Sequence, residues 1–305
     1  MVFDVELSTE EARALVEGHH AITVAQAVFR LEGLGAISCL QGLVTNDVAK
    51  MPADGLIWGA FLTPKGMIIS DAWIRRDGAA AWLIVPAQAA QEMRGLLART
   101  IPPRLAKVTE VTDAMTLRWL VGAESAIPDG IGLVRPTGVA PFRGLVISSE
   151  PAAMIDSRLE ASGWHAAPPA WSAAARLLVG WPALGREIDD KTLPQEVRFD
   201  ELGGVRYDKG CYTGQETVAR LHFRGHANRV LRGLLWEGDG EPETTEVATA
   251  ERSVGTIRTL GRFGQRALAL AVIRREVEPG SVVNAGGLPA SVIELPEWGL
   301  ALRAG

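Results

Sequence analysis

From about Phe29 to Val121 short apolar runs alternate with turn residues, the texture of strands joined by tight connections with few helices. The pattern predicts strands over Leu56–Leu62, Met67–Arg75 and Ala80–Val85, divided by turns at Pro64–Lys65–Gly66 and Asp77–Gly78. Gln88–Arg99 reads as a helix, with Met93, Leu96 and Leu97 at helical spacing. A strand pair follows at Leu105–Val111 and Met115–Val121, then a loop around Pro128–Gly132 and a strand at Gly144–Ser148. Ala152–Ser162 is a predicted helix stopped by Gly163, and Trp171–Val179 another, stopped by Gly180–Trp181–Pro182.

Beyond Gly225 the texture changes. Apolar runs at Val230–Trp236, Val254–Thr259, Ala267–Ile273, Ser281–Asn284 and Pro289–Leu295 recur with turns every eight to twelve residues or so, the mark of a small antiparallel barrel. Gly238–Glu251 is acidic and turn-rich and reads as an exposed loop. The fold class is α+β followed by all-β, with an α+β region over 1–228, in two interleaved parts, and a barrel domain over 229–305.

A chain of 305 residues with 47% hydrophobic and 22% charged residues has enough apolar material for a core without disulfides or metal. Its net charge of −5 argues against wholesale coating of nucleic acid or an anionic membrane. The longest apolar run, Ala79–Val85, ends at Pro86, far short of the roughly 20 residues of a spanning helix. The first ten residues carry Asp4, Glu6 and Glu10 and no Lys or Arg, the reverse of a signal peptide, so the expected location is the cytoplasm. Two cysteines, Cys39 and Cys211, are too few for a four-thiolate cluster or zinc site within one chain.

Candidate chemistry concentrates in Lys209–Gly210–Cys211–Tyr212–Thr213–Gly214–Gln215–Glu216, continuing to Arg220. Glycines on either side let a ligand approach the backbone closely. Residues 201–232 hold six lysines and arginines against three acids, a basic island in an acidic chain. Neighbouring cations favour thiolate over thiol, which marks Cys211 as a reactive candidate and Lys209 as its nearest helper. A small buried cysteine in a Gly-rich turn beside a solvated arginine face explains the same residues. His222 and His226 sit four apart nearby, but Arg224 and Arg229 would repel a divalent ion, so no metal site is expected.

The segment 209–216 resembles the K-G-C-[FY]-x-G-Q-E signature of the YgfZ family. Leu40–Asp47 resembles that family's LQGxxTNDV segment, and Phe61–Gly66 followed by Asp71 its FLTPKGRxxxD segment. Arg176–Pro182 is similar to RxxxGxP, and Leu193–Glu196 to xPxE. Order and spacing agree from about residue 29 to 300. The resemblance implies the fold of the glycine-cleavage T-protein: interlocked α+β folate-binding domains followed by a barrel. Two departures stand out. T-proteins carry paired aspartates where this chain has Ser70–Asp71, and they lack the fixed cysteine of Cys211.

The resemblance implies tetrahydrofolate or a one-carbon derivative as cofactor, and iron–sulfur client or assembly proteins as partners, including enzymes that modify tRNA. It makes Cys211, Lys209 and Asp71 the reactive set, and brings Tyr212, Gln215, Glu216 and Arg220 in as cofactor contacts. Glu196 is the expected acceptor for the pterin edge, although a loop-capping acid looks the same. Arg176 is expected to fork the glutamate tail, and Trp171 to stack on the rings. Asn46 and Asp47 are expected in the same cavity, and Asn-Asp is equally a turn signal. Two other functions compete: a folate-dependent aminomethyltransferase or demethylase, and an RNA-binding module using the strip from Arg206 to Arg232. Overall acidity and sparse interleaved aromatics argue against nucleic acid as a direct ligand.

Overall fold

A computed structural model describes residues 3–52, 55–124, 133–134 and 142–297. The loop expected around Pro128–Gly132 lies outside the described residues.

The first sheet is a five-stranded antiparallel array in the order Leu56–Leu62, Ile68–Asp77, Ala80–Pro86, Gln26–Glu32, Lys107–Glu110. Successive strand side chains point to opposite faces, and both faces of this sheet are buried. Phe29, Leu31, Ala72, Ile74, Leu83 and Val85 pack with the helices Ala36–Gln41 and Ala90–Thr100. Val28, Trp58, Ala60, Trp73 and Ile84 turn inward to the central core.

The second sheet runs His165–Ala167, His19–Ile22, Thr116–Gly122, Phe142–Ser148, Leu133–Val134. Helix Ala152–Ala161 covers its outer face through Ile155 and Leu159, which meet Ala21, Leu120 and Val146. Its inner face, with Trp119, Val121, Leu145 and Ile147, joins the central core. The chain visits this sheet at 19–22, leaves for the first sheet, and returns at 116, so the two are interleaved in sequence.

The third unit is the barrel. Ser253–Phe263, Glu246–Ala248, Val282–Ala285, Leu288–Ile293, Arg229–Glu237 and Arg266–Arg274 follow one another around a ring, all antiparallel, and the last pairs with the first. Closure leaves no open sheet edge. Leu234, Trp236, Ile257, Ala269, Ala271 and Ile273 fill the interior. Leu231, Phe263, Leu268 and Leu270 face outward into the central core. Val5–Leu7 adds a parallel strand beside the end of Ser253–Phe263, so the chain's beginning stitches barrel to sheets.

Several elements differ from the sequence pattern. Helix Thr9–Glu17 is closed at its start by reciprocal Ser8–Glu11 hydrogen bonds, and Gln26–Glu32 is a strand of the first sheet between Ala80–Pro86 and the edge strand Lys107–Glu110. The helix precedes the region of strand texture, and the strand begins ahead of Phe29 and runs into it. The acidic Gly238–Glu251 stretch contains a barrel strand, Glu246–Ala248. The residues after Gly214 form a helix, Gln215–Arg224, to which the sequence pattern assigns no element. No helix among the described residues is long and apolar enough to cross a membrane.

Candidate functional site

A cavity of about 430 Å³ opens where the two sheets, helix Pro169–Val179 and the barrel meet. Its aromatic wall comes from Trp73, Trp119, Phe142 and Trp181. These rings pack on one another: Trp73 stacks on Trp181 at 5.3 Å, and Trp119 meets Trp73 edge-on at 5.1 Å. Flat apolar walls of this kind suit a planar ring system.

Asp71 faces into this wall. It lies two residues before Trp73 on one strand and therefore on the same face. Trp58, paired with Trp73 across the sheet, donates its indole N–H to Asp71 Oδ2 at 3.0 Å. Oδ1 is buried and has no partner. Burial pushes the Asp71 carboxyl up to about 6, against the Trp58 hydrogen bond, its own backbone amide and the charge of Arg176. Ser70 stands beside it with its hydroxyl donated to the Asp71 carbonyl at 2.8 Å. The cavity thus holds one unsatisfied carboxylate oxygen among indoles.

Arg176 lines the cavity but is already engaged. It donates to Glu187 Oε2 at 2.8 Å, to the Trp181 carbonyl at 2.7 Å and to Thr259 Oγ1 at 3.1 Å. Glu187 is fully buried, and also accepts from the Ala183 amide and the Thr259 hydroxyl. The fork expected for a ligand's tail is closed on a partner within the chain. At the rim, Arg186 is half exposed and pairs with Asp4 at 2.5 Å.

Glu196 and Trp171 do not line the cavity. Glu196 accepts from the Leu193 amide at 3.0 Å, capping its own short turn, and burial raises its pKa against that amide and the charge of Arg229. Trp171 packs edge-on against His20 at 4.7 Å. The aromatic residues that do line the cavity were missed in the sequence, although Asp71-x-Trp73 alternation is the signal that finds the first of them.

The Cys211 segment forms a second locus. Lys209 donates its ammonium to the carbonyls of Gln41 (2.8 Å), Val44 (2.5 Å) and Asn46 (2.8 Å). Burial pulls its pKa down to about 8, yet three acceptors need three N–H donors, and only the ammonium has them. The Thr213 amide donates to the Gly42 carbonyl, and Tyr212 is buried beneath the Lys209 ammonium at 4.9 Å. Gly214 and Gly66 both have positive φ, 82° and 88°, and approach so closely that a Cβ on either would strike the other's loop. Gln195 joins them by donating to the Val218 carbonyl at 2.9 Å.

Segments 40–47, 61–66, 193–196 and 209–216 therefore converge on one another. Asn46 and Asp47 serve this junction: Asn46 donates to the Trp58 and Gly203 carbonyls, and Asp47 accepts from Gln41 and the Lys50 amide. Cys211 projects from the junction as an exposed thiol, with Gln215, Glu216 and Arg220 on the helix that follows. Neither Lys209, Tyr212 nor Cys211 lines the aromatic cavity. His222 stacks on Tyr207 at 3.6 Å, whose hydroxyl donates to Asp200 at 2.7 Å.

Comparison with known proteins fits this convergence of segments. No family model matches the chain. The tRNA-modifying protein YgfZ of Vibrio vulnificus (strain YJ016) is 29% identical, covering 92% of this chain and 94% of that protein. The YgfZ of Escherichia coli (strain K12 / DH10B) is 26% identical, covering 84% and 85%. The chain is a homologue of the YgfZ proteins. Among solved structures, the glycine cleavage system aminomethyltransferase T from Bartonella henselae superposes with a TM-score of 0.77, over 95% of this chain and 89% of that one, at 17% identity. At that identity the likeness is one of fold: the two interleaved sheets and closed barrel of this YgfZ homologue are those of a T-protein.

Proposed function

We propose that the protein is a cytoplasmic, reduced-folate-binding accessory protein that supports synthesis or repair of iron–sulfur clusters in client enzymes, tRNA-modifying ones among them. The observation that carries the folate reading is Asp71 Oδ1, a buried acceptor without a partner in an aromatic-walled cavity. A pterin offers a flat ring and a hydrogen-bonding edge, the two features this site lacks partners for. The cavity volume lies within the roughly 300–1,000 Å³ of small-ligand pockets. Asp71 would hold the pterin edge, Trp73, Trp119, Trp181 and Phe142 its faces, and Arg186 at the rim the anionic tail. Bound tetrahydrofolate would supply a one-carbon carrier. The exposed Cys211, held out on a junction braced by Lys209, is suited to transient contact with a client's cluster.

Calorimetric titration with tetrahydrofolate tests this reading. Saturable binding is expected, weakened about tenfold or more in Asp71→Asn, since a hydrogen bond to a charged group is worth about 1.5–3 kcal/mol. No saturation up to millimolar concentration overturns it. A second reading, a folate-dependent aminomethyltransferase, draws on Asp71 alone: one carboxyl titrating near 6 inside the cavity. Turnover of an aminomethyl donor with tetrahydrofolate would establish it. Ser70, which stands where T-proteins have a second carboxylate, argues against it.

A further inference from the structure

On the barrel, outside the aromatic cavity, arginines gather without enough acids to neutralise them. Arg229 and Arg274 sit directly opposite one another across an antiparallel pair. Side chains so placed lie about 5 Å apart at Cβ, and like charges there repel. They are shared by two adjoining cavities. The larger, of about 530 Å³, adds Arg275 and His226. The smaller, of about 190 Å³, adds Arg258 and the hydroxyl residues Ser253 and Thr256, and has no acid in its wall.

The available counter-charges are few. Glu276 and Glu278 line the larger cavity, but Glu276 pairs with Arg252 at 2.9 Å and reaches Arg274 only at 3.7 Å. Asp189 pairs with one nitrogen of Arg258 at 3.2 Å, while Arg258 Nε is enclosed without a partner. Glu196 feels the charge of Arg229 without an ion pair to it. Among the described residues, Arg229 and Arg275 make no salt bridge. In a chain of net charge −5 such a local surplus of positive charge is a place where an anion is attracted.

We infer that this face of the barrel is a phosphate-backbone site for RNA. Guanidinium forks match phosphate oxygens, and neighbouring hydroxyls and a flanking imidazole complete the donors. Two small cavities divided by a shared arginine pair suit successive phosphates. No aromatic ring lines either cavity, so nothing there would stack a base, which disfavours a free nucleotide and implies binding without sequence preference. The net charge of −5 argues against nucleic acid over the molecule as a whole, and this face is the local exception to that argument.

The test uses full-length protein, an unmodified tRNA transcript and fluorescence anisotropy across a salt series. Parent protein is expected to bind the tRNA with strong salt dependence. Arg229→Ala/Arg274→Ala weakens binding at least tenfold and lowers the salt slope by about 2, while Arg229→Lys/Arg274→Lys retains most of it. All substituted side chains are exposed, and a melting curve confirms the fold. Absence of tRNA binding by the parent overturns the inference, as does equal binding by the double alanine variant. Displacement of tRNA by stoichiometric ATP overturns RNA as the ligand. The tetrahydrofolate titration of the same variants is expected to match the parent, which separates failure here from failure of the folate reading.

Discussion

Trp58 donates its indole N–H to one oxygen of Asp71 at 3.0 Å and leaves the other without a partner. The carboxyl is thereby oriented but not satisfied, a state that favours a ligand over the empty fold. Its pKa of about 6 sets a pH signature. An unfolded Asp titrates near 3.8, so between these values the folded state holds the extra proton. The stability contributed is full below about 3.8 and is lost as pH rises through 6. Above that, the buried carboxylate costs about 3 kcal/mol relative to an exposed one. Asp71→Asn is therefore expected to melt higher than the parent at pH 8 and about equally at pH 4, by calorimetry. Tetrahydrofolate affinity of the parent rises from pH 5 to 7. A flat difference in melting temperature across this range would refute the assignment.

Lys209 braces the backbone of another segment. Its three carbonyl acceptors span Gln41 to Asn46. Lys209→Met keeps the aliphatic stem and removes every donor. Each orphaned buried acceptor costs about 1–3 kcal/mol, and a total loss of about 3 kcal/mol in urea unfolding is expected. Limited proteolysis should cut first near residues 205–214. An unchanged midpoint would show that the ammonium does not brace the junction.

What the sequence displayed and what it hid divide along the range of the interactions. Strands at 56–62 and 80–85 and the barrel runs after Gly225 were legible because period-two alternation between turn residues is local. The glycines flanking Cys211 fit an exposed thiol and a small buried one alike, and the structure exposes it. Glu196 is ambiguous in sequence because an acid after Pro194 serves a ligand or its own turn with the same residue types, and in the structure it accepts from the Leu193 amide. Nine tryptophans carry no label for which ones meet. Trp119 and Trp181 reach Trp73 only through the docking of separate elements. The same holds for Arg176, whose partner Glu187 lies past a helix stop. Lys209's acceptors lie more than 160 residues away.

Cys211 is exposed and Cys39 half-buried. Substitutions at exposed positions outside packing contacts change stability by no more than about 0.5 kcal/mol, so Cys211→Ala is expected to leave the melting temperature within about 2 °C of the parent. Client-enzyme rescue in cells should nevertheless be lost. Alkylation followed by mass spectrometry should modify Cys211 before Cys39. Full rescue by the alanine variant would remove the thiol from function while leaving the junction's structure intact.

Arg176 and Glu187 form an ion pair in which the acid is fully enclosed. Breaking such a pair on one side leaves an uncompensated buried charge, at about 3–5 kcal/mol, whereas replacing both partners by neutral groups is often tolerated. Arg176→Met alone is expected to lose that much in urea unfolding. Arg176→Met/Glu187→Gln should recover more than half, because the amide oxygen can still accept from the Ala183 amide, now bonded to Glu187 Oε2, while the NH2 donates to the Thr259 hydroxyl beside the Oε1 position. The pair also separates two roles for Arg176. If its guanidinium is committed to Glu187, the ratio of affinities for tetrahydrofolate and for tetrahydropteroate, which lacks the glutamate, is the same in the double variant as in the parent. A ratio that collapses towards one in the double variant would instead show that Arg176 leaves Glu187 to hold the tail. The equivalent collapse in Arg186→Ala, with the Arg176 pair intact, is the outcome expected from the rim geometry.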